Sequence, residues 1–304
     1  MTGGQCGGVG VAALVGRCTF PPAGTPLVCG VSGGADSLAL LALAAAAGCR
    51  VTAVHVDHGL RPGSAAEAEV VAAAAQRVGA EFRSVSCPVP HGPNLEARAR
   101  AARRRALGAG AATGHTMDDQ AETVLINLLR GAGLDGLAGM RPGRTHPILG
   151  LRRSETHALC AQLGWAPVAD PSNADPRFLR NRVRHELLPL CQALSGRDPV
   201  PVLCRQAGLL ADDADLLDAL AAALDPADGR ALGTAPLPLA RRAARGWLRH
   251  GQEHPPDLAA VERVLGVARG EVRATEVAGG RRVQRSAGRL RLAPAPAVAD
   301  PTVG

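Results

Sequence analysis

Residues 26–40 read PLVCGVSGGADSLAL. An apolar run ends in Ser32-Gly33-Gly34-Ala35-Asp36-Ser37, and an Ala/Leu-rich run follows at once. The pattern predicts a strand, a tight turn and a helix. A helix N-terminus exposes unpaired N–H groups and the positive end of its dipole, which makes it an anion site. Glycines let the backbone come close to the anion, while Ser32 and Ser37 add hydroxyls and Asp36 a carboxylate. Two glycines alone are explained by a tight βα turn with a capping residue; the whole six-residue string points to a phosphate cradle. It is not the loop GxxxxGK(S/T), which needs a lysine, because all 34 Lys and Arg positions here are arginine.

Working outward, β-like and helix-like pieces alternate. Strands are expected at 26–31, 50–56, 82–87 and 110–113, and helices at 36–47, 64–78, 94–107 and 117–129. Strands separated by helices of this length imply a parallel sheet covered on both faces. Ligands of such sheets bind beyond the carboxyl ends of the strands, where most of the polar motifs below begin. After about residue 150 the pattern turns helical, at 152–163 and 181–194. SGRDPVP (195–201) reads as a boundary, giving a catalytic domain over 1–195 and a smaller, mainly helical domain over 196–304. The second domain has helices near 203–223, 236–250 and 257–268, then a short hairpin around Gly279-Gly280.

Composition narrows the classes. The 304 residues are 46% hydrophobic, enough for a substantial core, with three Phe, two Trp and no Tyr. Net charge +7 and a pI near 9.5 permit an anionic partner such as nucleic acid. The eight cysteines form no CxxC pair, which argues against zinc or an iron–sulfur cluster, and several lie in apolar runs as reduced thiols do. No run approaches a membrane span and no basic residue precedes the short apolar stretch 8–15, so a cytoplasmic location and no membrane partner are expected.

Four further constellations carry chemistry. His55, Asp57, His58 and Arg61 close the second strand, at the same sheet edge as the phosphate loop. Gly114-His115-Thr116-Met117-Asp118-Asp119-Gln120-Ala121-Glu122 follows the fourth. His115, Asp119 and Glu122 share one helix face there; they could orient an amine, hold Mg²⁺ on the phosphates, or act as acid and base. Arg98, Arg100, Arg103, Arg104 and Arg105 crowd the helix 94–107, where a solvated basic face is the plain reading. Arg177, Phe178, Arg180, Asn181, Arg182 and Arg184 combine phosphate-binding cations with a stackable ring, which suits an RNA surface.

Taken in order, SGGADS, HVDHGLR, NLEARARAARR, ATGHTMDDQAETVLINLLRGAGLDGL and DPSNADPRFLRNRVR resemble the tRNA(Ile)-lysidine synthetases, PP-loop ATP pyrophosphatases of the adenine nucleotide alpha hydrolase-like fold. The resemblance covers roughly residues 26–192. It implies ATP and Mg²⁺ as cofactors, free L-lysine and a tRNA(Ile) with a CAU anticodon as partners, and lysine joined to the wobble cytidine through an O2-adenylated intermediate. Ser32, Gly33, Gly34, Ala35, Asp36, Ser37 and Gly114 would then hold ATP, with Asp36 on the metal or the incoming amine. His55, Asp57, His58 and Arg61 would line the nucleotide. His115, Asp119 and Glu122 would bind lysine or serve the chemistry together with Arg100 and Arg103. Arg177, Arg180, Asn181 and Arg184 would touch tRNA.

Two departures from the family pattern stand out: Arg104 replaces an expected Tyr, and His146-Pro147-Ile148 replaces Arg-Pro-Leu. The alternatives are a PP-loop tRNA thiolase, disfavoured by the missing CxxC, and a non-catalytic nucleotide- or RNA-binding paralogue, disfavoured by the intact loop and acids.

Overall fold

The computed structural model describes residues 10–57, 64–88, 92, 95–168, 175–250, 252 and 256–294, with backbone alone for 64–66, 95–97, 99 and 100. The chain divides into two compact units, 1–211 and 212–304.

The first unit opens with α1 (Val11–Val15) and then alternates β1 (Pro26–Gly30), α2 (Ala35–Ala46), β2 (Arg50–Asp57), α3 (Ser64–Arg77), β3 (Glu81–Ser86), α4 (Leu95–Leu107), β4 (Ala112–Thr113) and α5 (Met117–Leu129). The four strands form a parallel sheet in the order β3-β2-β1-β4. The chain thus steps outward from β1 to β3 and returns to the other side of β1 for β4. That reversal makes the β1–β4 crevice a topological switch point, where open α/β sheets bind ligands. The loops beginning at Ser32 and Gly114 flank it.

Helix α2 is apolar almost all round because it is covered on all sides. Leu38, Leu40, Leu41 and Leu43 have no exposed surface. Each such leucine contributes about 1.5–3 kcal/mol by burial. Leu27 and Cys29 of β1, Val51 and Ala53 of β2, and Leu159 and Cys160 complete this core. Short helix α6 (Leu134–Leu137) is followed by α7 (Arg153–Gln162), which packs on α2.

After α7 the path differs from the single helix expected over 181–194. Helix α8 (Leu179–Arg182) runs into a π-helical turn, Val183–Leu187, and continues as α9 (Leu188–Ser195). A π turn adds a residue to the local repeat and is common at functional sites. Helix α10 (Pro199–Ala222) follows, and the division between the two units falls inside it.

In the second unit, α11 (Gly229–Thr234), α12 (Leu237–Arg249) and α13 (Leu258–Arg269) pack around Leu232, Leu248, Val261, Val264 and Leu265. Ala240, Ala244 and Leu248 form the buried stripe of α12, spaced four apart as a helix requires. β5 (Ala274–Val277), β6 (Arg281–Ser286) and β7 (Arg289–Pro294) make an antiparallel sheet. The expected turn at Gly279-Gly280 is present, both residues at positive φ. A second turn at Ala287-Gly288 adds a third strand to the hairpin. Among the described residues no helix is long and apolar enough to cross a membrane.

Gly114 sets the width of the switch-point crevice. A Cβ there would lie 2.6 Å from the Asp36 carbonyl oxygen and 2.9 Å from the Ser37 nitrogen, both backbone atoms that cannot swing aside. Gly114→Ala should therefore destabilise the protein by about 1–3 kcal/mol, the usual range for overpacking. Gly246→Ala, inside α12 with open space around the new methyl, should stabilise by about 0.5–1 kcal/mol. Urea titration compares them, and equal midpoints would remove the steric role of Gly114.

Candidate active site

The phosphate loop is held open by its own hydroxyls. Ser37 Oγ accepts from the Ser32 N–H at 3.1 Å and donates to the Gly34 carbonyl at 2.8 Å, which ties both ends of the loop to the first turn of α2. Gly33 sits at φ +84°, a region costly for other residues, and its carbonyl accepts from the Val168 N–H at 3.0 Å. Gly34 is the N-cap of α2 and has no side chain to cap it. Ala35 is buried, Ser32 is exposed, and the N-terminus of α2 that follows them is the kind of helix end that suits an anion.

Beside this loop lie three carboxylates. Asp36 is in the first turn of α2, and Asp119 and Glu122 are in the first turns of α5. Asp119 Oδ2 accepts from both the N–H and the hydroxyl of Thr116 at 2.9 Å, so Asp119 serves as a capping-box residue at the helix start. Glu122 has no exposed surface. A carboxylate so placed needs cations, and three arginines supply them. Arg153 Nη1 donates to Glu122 at 3.1 Å, Nη2 to Asp119 at 2.9 Å, and Nε to Asp36 at 3.4 Å. Arg180 Nε reaches Glu122 at 2.7 Å and its Nη2 reaches Asp119 at 3.0 Å. Arg184 Nε and Nη2 meet Glu122 at 2.7 and 3.2 Å. Arg180 lies in α8 and Arg184 in the π turn that follows it, and both reach Glu122.

These contacts set the acids' character. Burial pushes the Asp36 carboxyl above its ordinary value, against the Thr156 hydroxyl that donates to it and the nearby Arg153. Burial works the same way on Asp119, but Arg153, Arg180 and the Thr116 N–H outweigh it and hold that carboxyl low. Asp36 thus gains a proton more readily than its neighbour.

The remaining residues fall into three groups. His115 lies just before α5; its Nδ1 is 2.8 Å from the Thr113 hydroxyl and its ring meets His146 at 5.1 Å between centroids. His55 is only 2% exposed and donates from Nδ1 to the Val31 carbonyl at 3.1 Å, bracing the strand end, while its buried Nε2 has no hydrogen-bond partner. Asp57 closes β2, half buried. Asn181, expected on an RNA surface, is buried and donates to the Asp175 carbonyl at 2.8 Å. Arg180 and Arg184 spend their guanidinium groups on acids instead of presenting them to a partner. Arg177 is largely exposed and pairs with Asp175 at 2.6 Å, and Arg182 is exposed and pairs with Glu186. Arg103 is exposed on α4. His58 and Arg61 lie outside the described residues, and Arg100 is described by its backbone alone.

Arg152, Arg153 and Thr156 are site residues that motif reading passes over. Arg152 pairs with Asp118 at 3.1 Å and with Asp198, and the Arg153 N–H donates to Asp118 at 2.7 Å. Their signal is electrostatic: two adjacent arginines at a helix N-terminus oppose the dipole and need acids from elsewhere. Next to them opens a cavity of about 180 Å³, with Glu122, Arg153, Arg184 and Asp198 on its charged side and Leu188, Pro189 and Val200 on its apolar side.

A cradle for phosphate at the switch point of a parallel sheet, beside a buried acid cluster, defines a PP-loop ATP-binding protein, and the PP-loop domain family matches residues 16–191. A tRNA(Ile)-lysidine synthase from Nocardia farcinica is 43% identical over 83% of this chain and 85% of its own. Those from Mycolicibacterium paratuberculosis and Mycobacterium tuberculosis are 47% and 44% identical, each over 73% of this chain and 73% or 74% of theirs. Among solved structures, a U34-tRNA thiolase from Methanococcus maripaludis superposes with TM-score 0.52 at 18% identity, over 66% of this chain and 78% of that one. The chain belongs to the tRNA(Ile)-lysidine synthase family, and it is an enzyme of that type.

Glu122→Gln keeps the shape and removes the charge, leaving three guanidinium groups facing an amide. The variant should lose about 3–5 kcal/mol of stability, the range for breaking a buried ion pair from one side. Denaturant titration reads it. A loss below about 1 kcal/mol, as for an exposed pair, would contradict the burial argument.

Proposed function

We propose that this enzyme joins L-lysine to C2 of the wobble cytidine in a tRNA(Ile) bearing the anticodon CAU, consuming ATP. In the first step O2 of the cytosine attacks the α-phosphorus of ATP, forming an O–P bond and releasing pyrophosphate. In the second, the ε-amine of lysine attacks C2; the C2–O2 bond breaks, AMP leaves with the oxygen, and the amine loses its protons to a base. The oxygen of a urea-like carbonyl is a poor leaving group, and adenylation turns it into a good one.

One observation carries this reading. A single guanidinium, Arg153, spans Asp36 beside the phosphate loop and the acids Asp119 and Glu122. The place where ATP is split and the place where a cation can be held are therefore the same place. The N–H groups of α2 and the Ser32 hydroxyl would seat phosphate, and Asp119 and Glu122 would receive an ammonium group. The adjoining cavity offers both charge signs and an apolar wall, as an amino acid with an aliphatic side chain requires. Arg177 and Arg182, both exposed, are the arginines of their cluster suited to tRNA phosphate.

Mg²⁺ fits Asp36, which offers one accessible carboxylate beside the phosphate seat; that ion is ordinarily held by one or two carboxylates plus phosphate oxygens and water. Among the described residues no three His, Cys, Asp or Glu side chains gather as a protein-only cage. When bound, the ion would neutralise charge on the departing pyrophosphate. The rival thiolase chemistry is disfavoured by the lack of a CxxC pair, and burial pushes the thiols of Cys18, Cys160 and Cys204 up to about 11 and that of Cys29 up to about 12.

Incubating the enzyme with ATP, Mg²⁺ and labelled L-lysine should place label in an isoleucine tRNA transcript bearing CAU and none in a methionine tRNA. ATP cleavage without label in either RNA would overturn the lysine assignment.

A further inference from the structure

We propose that Arg153 is a gating residue that makes the amine subsite conditional on ATP: it fills that subsite until polyphosphate draws it away. The proposal rests on the reading of Asp119 and Glu122 as the receivers of lysine's ammonium group.

Among the described residues, Arg153 is the one guanidinium paired with both the loop carboxylate and the two acids of α5. Arg180 and Arg184 pair with the α5 acids. Charge counting gives the consequence. Three carboxylates face three guanidinium groups, so the cluster is balanced and offers an incoming cation nothing. A polyphosphate with its Mg²⁺ adds net negative charge to this balanced cluster, and withdrawal of Arg153 toward it vacates the donor positions on Glu122 and Asp119 that a single ammonium group can fill. Removing a cation from fully buried Glu122 without replacement is costly, so departure of Arg153 and arrival of the amine are favoured together.

The geometry lets the side chain move while its backbone stays. The Arg153 N–H is fixed to Asp118 at 2.7 Å, and α7 is packed on α2. The guanidinium itself is about one-fifth exposed, and its bond to Asp36, at 3.4 Å, is the longest of its three. A polyphosphate on the adjoining loop brings several negative charges to that end, and guanidinium groups pair with phosphate in a two-pronged fashion. The result is an order of events: the nucleophilic amine gains its seat only after ATP has arrived. By linkage, lysine must tighten ATP by the same factor.

Calorimetric titration of the full-length protein with L-lysine, with and without α,β-methylene ATP and Mg²⁺, tests this. In the wild type the analogue should tighten lysine binding by about tenfold or more, within the usual range of coupling between sites. In Arg153→Gln, lysine should bind without the analogue and the coupling should fall below about twofold. Coupling of wild-type size in Arg153→Gln overturns the proposal. If thermal melting shows that this variant is unfolded, Arg153→Lys is read instead. An ammonium group cannot bridge all three acids, so analogue-free lysine binding should strengthen several-fold; unchanged binding overturns the proposal. The labelled-lysine assay run beside it separates the two levels. Lysine incorporation by a wild type that shows no coupling sinks the gate alone, whereas absence of incorporation sinks the reading beneath it.

Discussion

A carboxylate with no exposed surface must be given cations, and much of the candidate active site can be read as the answer to Glu122. Arg153 comes from the start of α7, Arg180 from α8 and Arg184 from the π turn that follows it. Two segments distant from it in sequence are thereby fastened to the first turns of α5. An apolar residue at 122 would pack there with less penalty. A buried ionic cluster is instead suited to exchanging one cation for another, and the proposed chemistry calls for such an exchange.

Topology brings this cluster to the phosphate loop. Because β4 lies beside β1 and not beyond β3, the helices that follow these two strands start side by side. Gly114 permits the closest approach, its missing side chain leaving room for the backbone of Asp36 and Ser37. The phosphate seat is rigid for its own reasons: Ser37 ties the loop across its width, and Val168 fixes the Gly33 carbonyl from outside. The apolar core around α2 holds that helix end in place.

Local signals made much of this legible in the sequence. SGGADS announced a strand, a glycine turn and a helix start, and α5 occupies residues 117–129 as its apolar spacing implies. Gly279-Gly280 marked a turn because both glycines adopt a positive φ. What stayed hidden depends on long-range partners. The order of the strands is not written in any one of them. Arg180 and Arg184 look like an RNA-facing stripe until Glu122 is seen opposite, and Asn181 looks polar and exposed until the turn at Asp175 closes over it. His55 reads as an exposed residue at a strand end, yet it is buried, with the carbonyl of Val31 taking its Nδ1 and its Nε2 left without a hydrogen-bond partner. The Arg152-Arg153 pair was the missed clue, because cations at a helix N-terminus are unfavourable unless acids from another element answer them.

The central claim is that the loop and the acid cluster form one site that activates RNA first and accepts the amine second. ATP–pyrophosphate exchange, measured with each substrate left out in turn, tests that order most directly. The account predicts exchange that requires the isoleucine tRNA and proceeds without lysine. Exchange driven by lysine in the absence of tRNA would mean that the amino acid, not the cytidine, is adenylated, and would contradict it.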